Sequence, residues 1–314
     1  MHPQDSNTVT RDSIQRHHNI AAIVVTYHPN IVQLKKLIIS LSQQCKSVLV
    51  VDNSEPSCNI TARLAHQFSD VDVISLNRNS GLGTAQNIGI NRALHGGADA
   101  VLLFDQDSTI ESSFVENLWQ TYLQAQHASP VQIAAIGPRY TDLSQHIRSP
   151  FVKLSGLKIV RIPCTQGKLY VEVDCLIASG SMLLGNSLSV IGMMREDLFI
   201  DYVDTEWCLR AKQMGYRCVG ACTVEMQHSI GDKVDFFWGY PFTLHTPLRH
   251  YYLMRNATAV YFRSNLPLQW KVADGIRLIF KFFLYSLLAK PHTAHIGMMI
   301  RGLWHGIIGR MGRL

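Results

Sequence analysis

The chain of 314 residues has few charged side chains, no CxxC pair of cysteines and no apolar run long enough to cross a membrane. Only 17% of its residues are charged and 47% are hydrophobic, which suits one large domain, alone or with an appendage. The seven scattered cysteines argue against a disulfide framework and for a reducing compartment. Cys208, Cys218 and Cys222 lack the spacing of a zinc site, so we expect them to be buried free thiols.

The two ends of the chain differ in composition from its middle. Residues 1–18 are polar and contain no apolar segment of the secretory type, so we expect a loose tail and a cytoplasmic protein. Residues 241–314 contain a single acidic residue, Asp274, and several lysines and arginines. Their uncharged run "FFLYSLLA" is far shorter than the roughly 20 residues of a spanning helix. A basic amphipathic region on an anionic membrane surface is the favoured interpretation, while packing on the main domain or a homodimer interface stay open.

Buried strands alternate with helices over the first hundred residues. "IAAIVVTY" begins at residue 20, "SVLVVDNSE" at 47, "VDVISL" at 71 and "ADAVLLFDQDS" at 98, each rich in β-branched or aliphatic residues. Apolar residues at helical spacing follow "HPN" and predict a first helix there. Further helices are expected around residues 60–68 and after "NSGLG". Such alternation is typical of βαβ units, so we predict an α/β fold with a Rossmann-like, mostly parallel sheet over residues 19–240.

Polar residues stand at the carboxyl end of each predicted strand. In a sheet of parallel strands these ends share one edge, where the ligand site of the fold lies. The side chains expected to converge there are Thr26, Tyr27, Asp52, Asn53, Asp105 and Asp107.

The segment "FDQDST" fits two different chemistries. Residues two apart in an extended segment face the same way, so Asp105 and Asp107 can hold one Mg²⁺ or Mn²⁺ on a diphosphate, while Gln106 is expected to point elsewhere. With Thr109 they also match a phosphatase pattern in which the first aspartate is the nucleophile. That nucleophile would follow the first strand of its core, whereas here three strands come first, so we favour the metal site.

Several segments together resemble the family 2 glycosyltransferases with a GT-A fold, and more narrowly the bacterial rhamnosyltransferases of surface polysaccharides. They are "IVVTYHPN", "LVVDNSE", "LNRNSGLGTAQNIGI", "LLFDQDS" and "LFIDYVDTEWCLRAKQMGY". The resemblance covers about residues 20–240, and it extends more loosely to the basic apolar region after them.

This resemblance implies a set of donor-binding residues. Thr26 and Tyr27 would contact the nucleoside, largely through their backbone, and Asp52 would accept a hydrogen bond from N3–H of the pyrimidine. Three residues would let a loop pass close to the nucleotide, since glycine tolerates close approach and positive φ: Asn79, Gly81 and Gly83. Asn87 would support that loop or the sugar, and Asp105 would contact the donor as well as the metal.

The resemblance also implies a general base and a further metal ligand. Family members carry an acidic pair ahead of a helix, and here the corresponding pair is Val203-Asp204, so its first acid is missing. Asp204 is expected to take the proton of the acceptor hydroxyl, with Glu206 as the alternative base. His228 is expected near the metal or the diphosphate.

The implied activity is inverting transfer of a sugar, with dTDP-β-L-rhamnose as the expected donor. The acceptor would be a glycan, for example one linked to a polyprenyl diphosphate at the inner face of the membrane, and we expect no nucleic acid partner. A donor with UDP or GDP, a sugar nucleotidyltransferase and a non-catalytic membrane scaffold are the alternatives. "TYHPN" lacks the glycines and lysine of a nucleotidyltransferase loop, and a scaffold has no need of carboxylates at strand ends.

Overall fold

A computed structural model describes residues 18–56, 64, 67–142, 147–228, 234–237 and 240–314. The predicted tail at 1–17 and most of the helix expected around 60–68 lie outside these residues. The strands are β1 Ile20–Thr26, β2 Ser47–Asp52, β3 Val71–Ser75, β4 Ala100–Asp105, β5 Ser108–Thr109, β6 Ile133–Asp142, β7 Ile147–Arg148, β8 Phe151–Ser155, β9 Lys158–Ile162, β10 Tyr170–Val173, β11 Met182–Leu184, β12 Arg217–His228, β13 Val234–Phe237 and β14 Tyr240–Thr243. The helices are α1 Ile31–Ser42, α2 Leu82–His95, α3 Phe114–His127, α4 Gly185–Ile191, α5 Val203–Gln213, α6 Pro247–Arg263, α7 Leu268–Leu288 and α8 His292–Ile308.

A single large sheet has the strand order β10-β12-β6-β11-β4-β1-β2-β3. Strands β3, β2, β1 and β4 are parallel neighbours, as the alternating pattern predicts. The short strand β11 runs antiparallel between β4 and β6, and β10 is antiparallel to β12. The sheet is therefore mixed rather than mostly parallel, because the irregular middle of the chain contributes returning strands instead of further βαβ units.

The sheet is covered on both faces. Alternate residues of β1 enter different cores, with Ala21 and Ile23 in one and Ala22 and Val24 in the other. Helix α2 lies so close to the sheet that a Cβ on Gly89 would be 2.4 Å from Cγ2 of Ile23. Burial on both faces explains why β1 is a continuous apolar run in the sequence.

One disulfide joins Cys164, in the β9–β10 connection, to Cys222 of β12. The prediction that Cys222 is a free thiol is therefore wrong. The fold brings together two residues 58 positions apart, a proximity that cysteine spacing alone does not reveal. Cys208 and Cys218 are buried free thiols, as expected.

The C-terminal helices pack against one another and against the sheet domain. Helices α6 and α8 touch closely, since a Cβ on Gly302 would be 2.4 Å from the carbonyl oxygen of Tyr251. The outer sides of α7 and α8 carry exposed apolar residues: Ile276, Ile279, Phe280, Phe283, Leu287, Ile300, Trp304 and Ile307. Among the described residues, no helix combines the length and hydropathy that crossing a membrane requires.

Candidate active site

A cavity of about 900 Å³ lies beyond the carboxyl ends of β1 and β4. Eight of the residues predicted for the site line it: Thr26, Tyr27, Asn53, Asn79, Gly81, Asp105, Asp107 and Asp204. Its opposite wall comes from elements after residue 240, including Arg249, Trp270 and Asp274. The structure thus brings the strand ends together as expected, and it adds the C-terminal helices to the same cavity.

Asp52 does not line the cavity, but with its neighbours it forms a hydrogen-bonded network next to it. Oδ1 of the buried Asp52 accepts from Thr26 Oγ1 and from the Ser54 backbone N–H, both at 3.1 Å. Asn53 holds the next loop, because its Oδ1 accepts from the Ser80 N–H at 2.7 Å and its Nδ2 donates to Asn79 Oδ1 at 3.2 Å. Asn53 lines the cavity, as expected for a residue at this strand end, and the structure adds its role in holding the next loop.

The loop before α2 approaches the segment that precedes Asp204, and the close contact is at Gly81. Its φ is +92°, and a Cβ there would be 2.7 Å from Cδ2 of Phe199. Only glycine combines that backbone conformation with that contact. Gly83 and Asn87, by contrast, do not line the cavity.

Gly83 and Asn87 both pack against residues 194–196. A Cβ on Gly83 would be 2.8 Å from the carbonyl oxygen of Arg195. The Asn87 amide donates to the Met194 carbonyl and to Glu196 Oε1, each at 2.9 Å, and accepts from the Met194 N–H at 2.9 Å. Their contacts with the donor stay predictions. The contacts that the structure does contain join α2 to residues 194–196, before Asp204 in the chain.

Gln106, between the two aspartates, has a role that the sequence interpretation missed. It lines the cavity instead of pointing elsewhere. Its Oε1 accepts from the Tyr27 N–H at 2.7 Å and its Nε2 donates to the Tyr27 carbonyl at 3.1 Å. The Tyr27 N–H is therefore engaged by Gln106, which limits the predicted backbone contact of Tyr27 with the nucleoside.

Asp105 ends β4 and Asp107 lies in the turn that follows. The Asp105 N–H donates to Ser179 Oγ at 3.1 Å, which fixes the start of that turn. His228 is the last residue of β12 and pairs with Ser108, so its backbone adjoins Asp107; its side chain lies outside the described part of the chain. Within the described residues, no group of three or more His, Cys, Asp or Glu side chains could hold a metal ion.

Asp204 stands in the first turn of α5 and lines the cavity. Its Oδ1 accepts from the Thr205 N–H at 2.7 Å and its Oδ2 from the Ala178 N–H at 3.3 Å. Burial raises its pKa to about 6; the two backbone N–H groups lower it, and the nearby charges of Asp201 and Asp105 add to the rise. A carboxyl with this pKa in a ligand cavity is suited to general base catalysis at neutral pH.

Glu206, the alternative base, is buried and does not line the cavity. Both of its oxygens accept from Arg210, at 3.1 and 3.0 Å. The same guanidinium also binds the carbonyls of Ile191 and Met193, so the pair is part of the packing of α5. The neighbouring Trp207 is buried and donates to the Gly192 carbonyl, as expected for a core residue.

The segment just before Asp204 has an unusual backbone conformation, and a residue of helix α6 stabilises it by hydrogen bonds. Three residues other than glycine have positive φ: Phe199, Asp201 and Tyr202. Such conformations cost about 1–3 kcal/mol each and persist only where surrounding contacts enforce them. The contacts come from the fully buried Asn256, whose Nδ2 reaches the carbonyls of Leu198, Ile200 and Asp201 at 2.8, 2.6 and 3.0 Å.

Comparison with known proteins identifies the family of the chain. The family model for glycosyl transferase family 2 matches residues 22–186, which hold the strand ends described above. A relative, the dTDP-rhamnosyl transferase RfbF of Shigella flexneri, is 34% identical over 296 residues, 94% of this chain and 97% of that relative. The chain belongs to glycosyl transferase family 2. This family 2 glycosyltransferase thus matches RfbF across both the sheet domain and the C-terminal helices.

Solved structures support the same fold for this family 2 glycosyltransferase. Residues 1–349 of S. aureus TarS in complex with UDP-GlcNAc superpose with a TM-score of 0.59 at 17% identity, covering 92% of this chain and 80% of that one. GalNAc-T7 with UDP, GalNAc and Mn²⁺ gives a TM-score of 0.58 at 10% identity, covering 94% of this chain and 56% of that one. A longer TarS chain is matched over 49% of its length. At these identities the likeness concerns the fold, and it agrees with the predicted GT-A type.

Proposed function

We propose that this glycosyltransferase moves an L-rhamnosyl group from dTDP-β-L-rhamnose to a hydroxyl group of a surface-polysaccharide glycan, such as an O-antigen. The observation that carries the transfer chemistry is Asp204, a cavity carboxyl with a pKa near 6 beside the predicted diphosphate site at Asp105. The donor is supported by the 34% identity to a dTDP-rhamnosyl transferase over nearly the full chain.

The proposed reaction is a single displacement with inversion. Asp204 accepts the proton of the acceptor hydroxyl while that oxygen forms a bond to the anomeric carbon. The bond from the anomeric carbon to the diphosphate oxygen breaks on the opposite face, and dTDP leaves with the bonding electron pair. Because Asp204 has a pKa near 6, it is ionised at neutral pH and can return its proton to solvent.

The donor is proposed to lie along the strand ends. Asp52 would bind the pyrimidine ring, and the loop at Asn79 and Gly81 would pass along the nucleotide. The carboxylates of Asp105 and Asp107 suit Mg²⁺ or Mn²⁺, which prefer oxygen ligands and commonly combine one or two carboxylates with substrate phosphates. Such an ion would stabilise negative charge on the leaving diphosphate, and His228 is a further candidate ligand.

The C-terminal helices are proposed to attach the enzyme peripherally to the inner face of an anionic membrane. Exposed apolar residues on α7 and α8, together with the basic composition of residues 241–314, support this placement. A homodimer through the same surface is the alternative. Sedimentation with and without phosphatidylglycerol vesicles separates the two, since a dimer forms without lipid.

The test is a donor screen with purified enzyme and Mg²⁺, measuring binding by calorimetry and release of the nucleoside diphosphate. We expect dTDP-rhamnose to bind and turn over, and Asp204→Asn to bind it with no turnover. Exclusive use of UDP- or GDP-sugars would overturn the rhamnosyl assignment while keeping the enzyme class. Turnover by Asp204→Asn at the wild-type rate would instead refute the assigned base.

A further inference from the structure

Helix α7 presents one polar face to the active-site cavity. Trp270, Asp274, Arg277 and Lys281 all line the cavity, and their spacing of four, three and four residues places them on one side of the helix. Asp274 is fully engaged in the fold, because its Oδ2 accepts from the hydroxyls of Tyr202 at 2.6 Å and Tyr261 at 2.7 Å.

The two cations of this face have no such partner. Neither Arg277 nor Lys281 makes a hydrogen bond or an ion pair with any residue that the structure describes. Lys281 is half-buried, and burial lowers its pKa, whereas Arg277 lines the cavity with its side chain exposed. Partial removal of Lys281 from water without a hydrogen-bonded partner destabilises the fold, so its place in a ligand cavity, beside a second cation, points to an anionic ligand.

A hydrogen bond locates these cations relative to the proposed base. Asp274, one helix turn before Arg277, accepts from the hydroxyl of Tyr202, which lies two residues before Asp204 in the chain. Asp274, Arg277, Lys281 and Asp204 all line the same cavity. The cationic face of α7 therefore adjoins the segment that carries Asp204, where the hydroxyl of a bound acceptor would meet the proposed base.

The outer side of the same helix is apolar. Phe280 and Phe283, next to Lys281 in the sequence, are 61% and 67% exposed, and Ile276 and Ile279 flank Arg277 with 61% exposure each. A molecule bound here would meet cations inside the cavity mouth and hydrocarbon side chains just outside it. That combination matches a phosphate group attached to an apolar chain.

We propose that Arg277 and Lys281 bind the phosphate group of a lipid-linked sugar acceptor, with its hydrocarbon chain along the apolar side of α7. This assignment rests on the proposed function, because it takes Asp204 as the base that meets the acceptor. It adds the two residues that select acceptors carrying a phosphate.

The test measures binding of farnesyl diphosphate, a soluble diphosphate with an apolar chain, while dTDP and Mg²⁺ saturate the donor site. Farnesol is the uncharged matched probe. We expect Lys281→Gln and Arg277→Gln each to weaken farnesyl diphosphate binding about tenfold, since each removes one charge-assisted contact. Binding of farnesol and of dTDP should not change. Arg301→Gln is the control, because Arg301 is an exposed cation on α8 that does not line the cavity.

Several results would overturn the proposal. They are no binding of farnesyl diphosphate to the wild type, equal binding by wild type and both variants, or weakened dTDP binding instead. A loss confined to phosphatidylglycerol vesicles would reassign the cations to the membrane surface. Retained melting temperatures for the variants, or higher ones for Lys281→Gln, would show that weaker binding is not loss of fold. Because binding is measured without sugar transfer, a failure here is distinct from a failure of the rhamnosyl donor assignment.

Discussion

Replacing Asp204 with asparagine should make the protein more stable at neutral pH while abolishing sugar transfer. The folded state raises the pKa of this carboxyl from its ordinary value of 3.8 to about 6, chiefly through burial. Folded protein therefore binds this proton more tightly than unfolded protein does. The stability from this group is fully present at acidic pH and is lost as the pH rises from about 4 to about 6.

The size of the effect follows from the two pKa values. A difference of about two pKa units corresponds to about 3 kcal/mol between the fully protonated and fully ionised limits. About half of that destabilisation is present at pH 5 and nearly all of it at pH 7. The single side-chain oxygen of asparagine can still accept from the Thr205 N–H. Its NH2 group then faces the Ala178 N–H, which loses its acceptor. That second change is independent of pH and costs about 1 kcal/mol at most sites.

Urea unfolding of wild type and Asp204→Asn at pH 5, 6, 7 and 8 measures the predicted difference. The variant should gain about 1.5 kcal/mol relative to wild type between pH 5 and pH 8. Wild-type kcat should rise through a pKa near 6, since the base must be ionised. A stability difference that does not vary with pH would refute the raised pKa of Asp204, even if the variant is inactive.

Three further predictions concern positioning, metal use and packing. Asn256→Asp should lower kcat about tenfold or more with dTDP affinity unchanged, because a carboxylate cannot donate to the three carbonyls that Asn256 faces. Asn91→Asp, at an exposed position, is the matched control. Equal kcat values for wild type and Asn256→Asp would contradict the positioning role. Asp107→Asn should remove stimulation of transfer by Mg²⁺ or Mn²⁺ in a metal titration after chelation, and an unchanged titration curve would exclude Asp107 as a ligand. Gly89→Ala should lower the free energy of unfolding by about 1–3 kcal/mol because its Cβ would meet Ile23. Gly275→Ala should raise it by about 0.5–1 kcal/mol in the same denaturation assay, because a Cβ on this helical glycine would make only an ordinary contact with Tyr261 Cε2 at 3.9 Å.

The sequence predicts the parallel half of the fold well, because each strand there is a long apolar run with a polar end. The buried faces of β1 and the cavity at Thr26, Asp105 and Asp107 follow from that pattern. Strand β11, Met182–Leu184, is only three residues long. Its antiparallel direction depends on tertiary pairing with β4 and β6, which no local pattern encodes.

The sequence predicts the carboxylates of the candidate site, but it does not predict the side chains that position the neighbouring backbone. Gln106 and Asn256 act through amide hydrogen bonds to backbone atoms of distant segments, and a single amide in a sequence carries no signal for such a contact. The choice between Asp204 and Glu206 likewise depends on which carboxylate faces Arg210, a tertiary relation within one helix turn. Composition does suggest a basic C-terminal region, but not that Arg277 and Lys281 face the cavity.

The hydrogen bonds from Asn256 to residues 198–201 have a consequence for protein engineering. Exchanging the sheet domain between family members while keeping the C-terminal helices would pair one enzyme's base-bearing loop with another enzyme's supporting helix. A chimaera joined near residue 240 should therefore fold yet transfer sugar poorly. Activity should return when residues 196–204 are exchanged together with the helix that contains Asn256, so the useful crossover points lie before the loop and after the final helix.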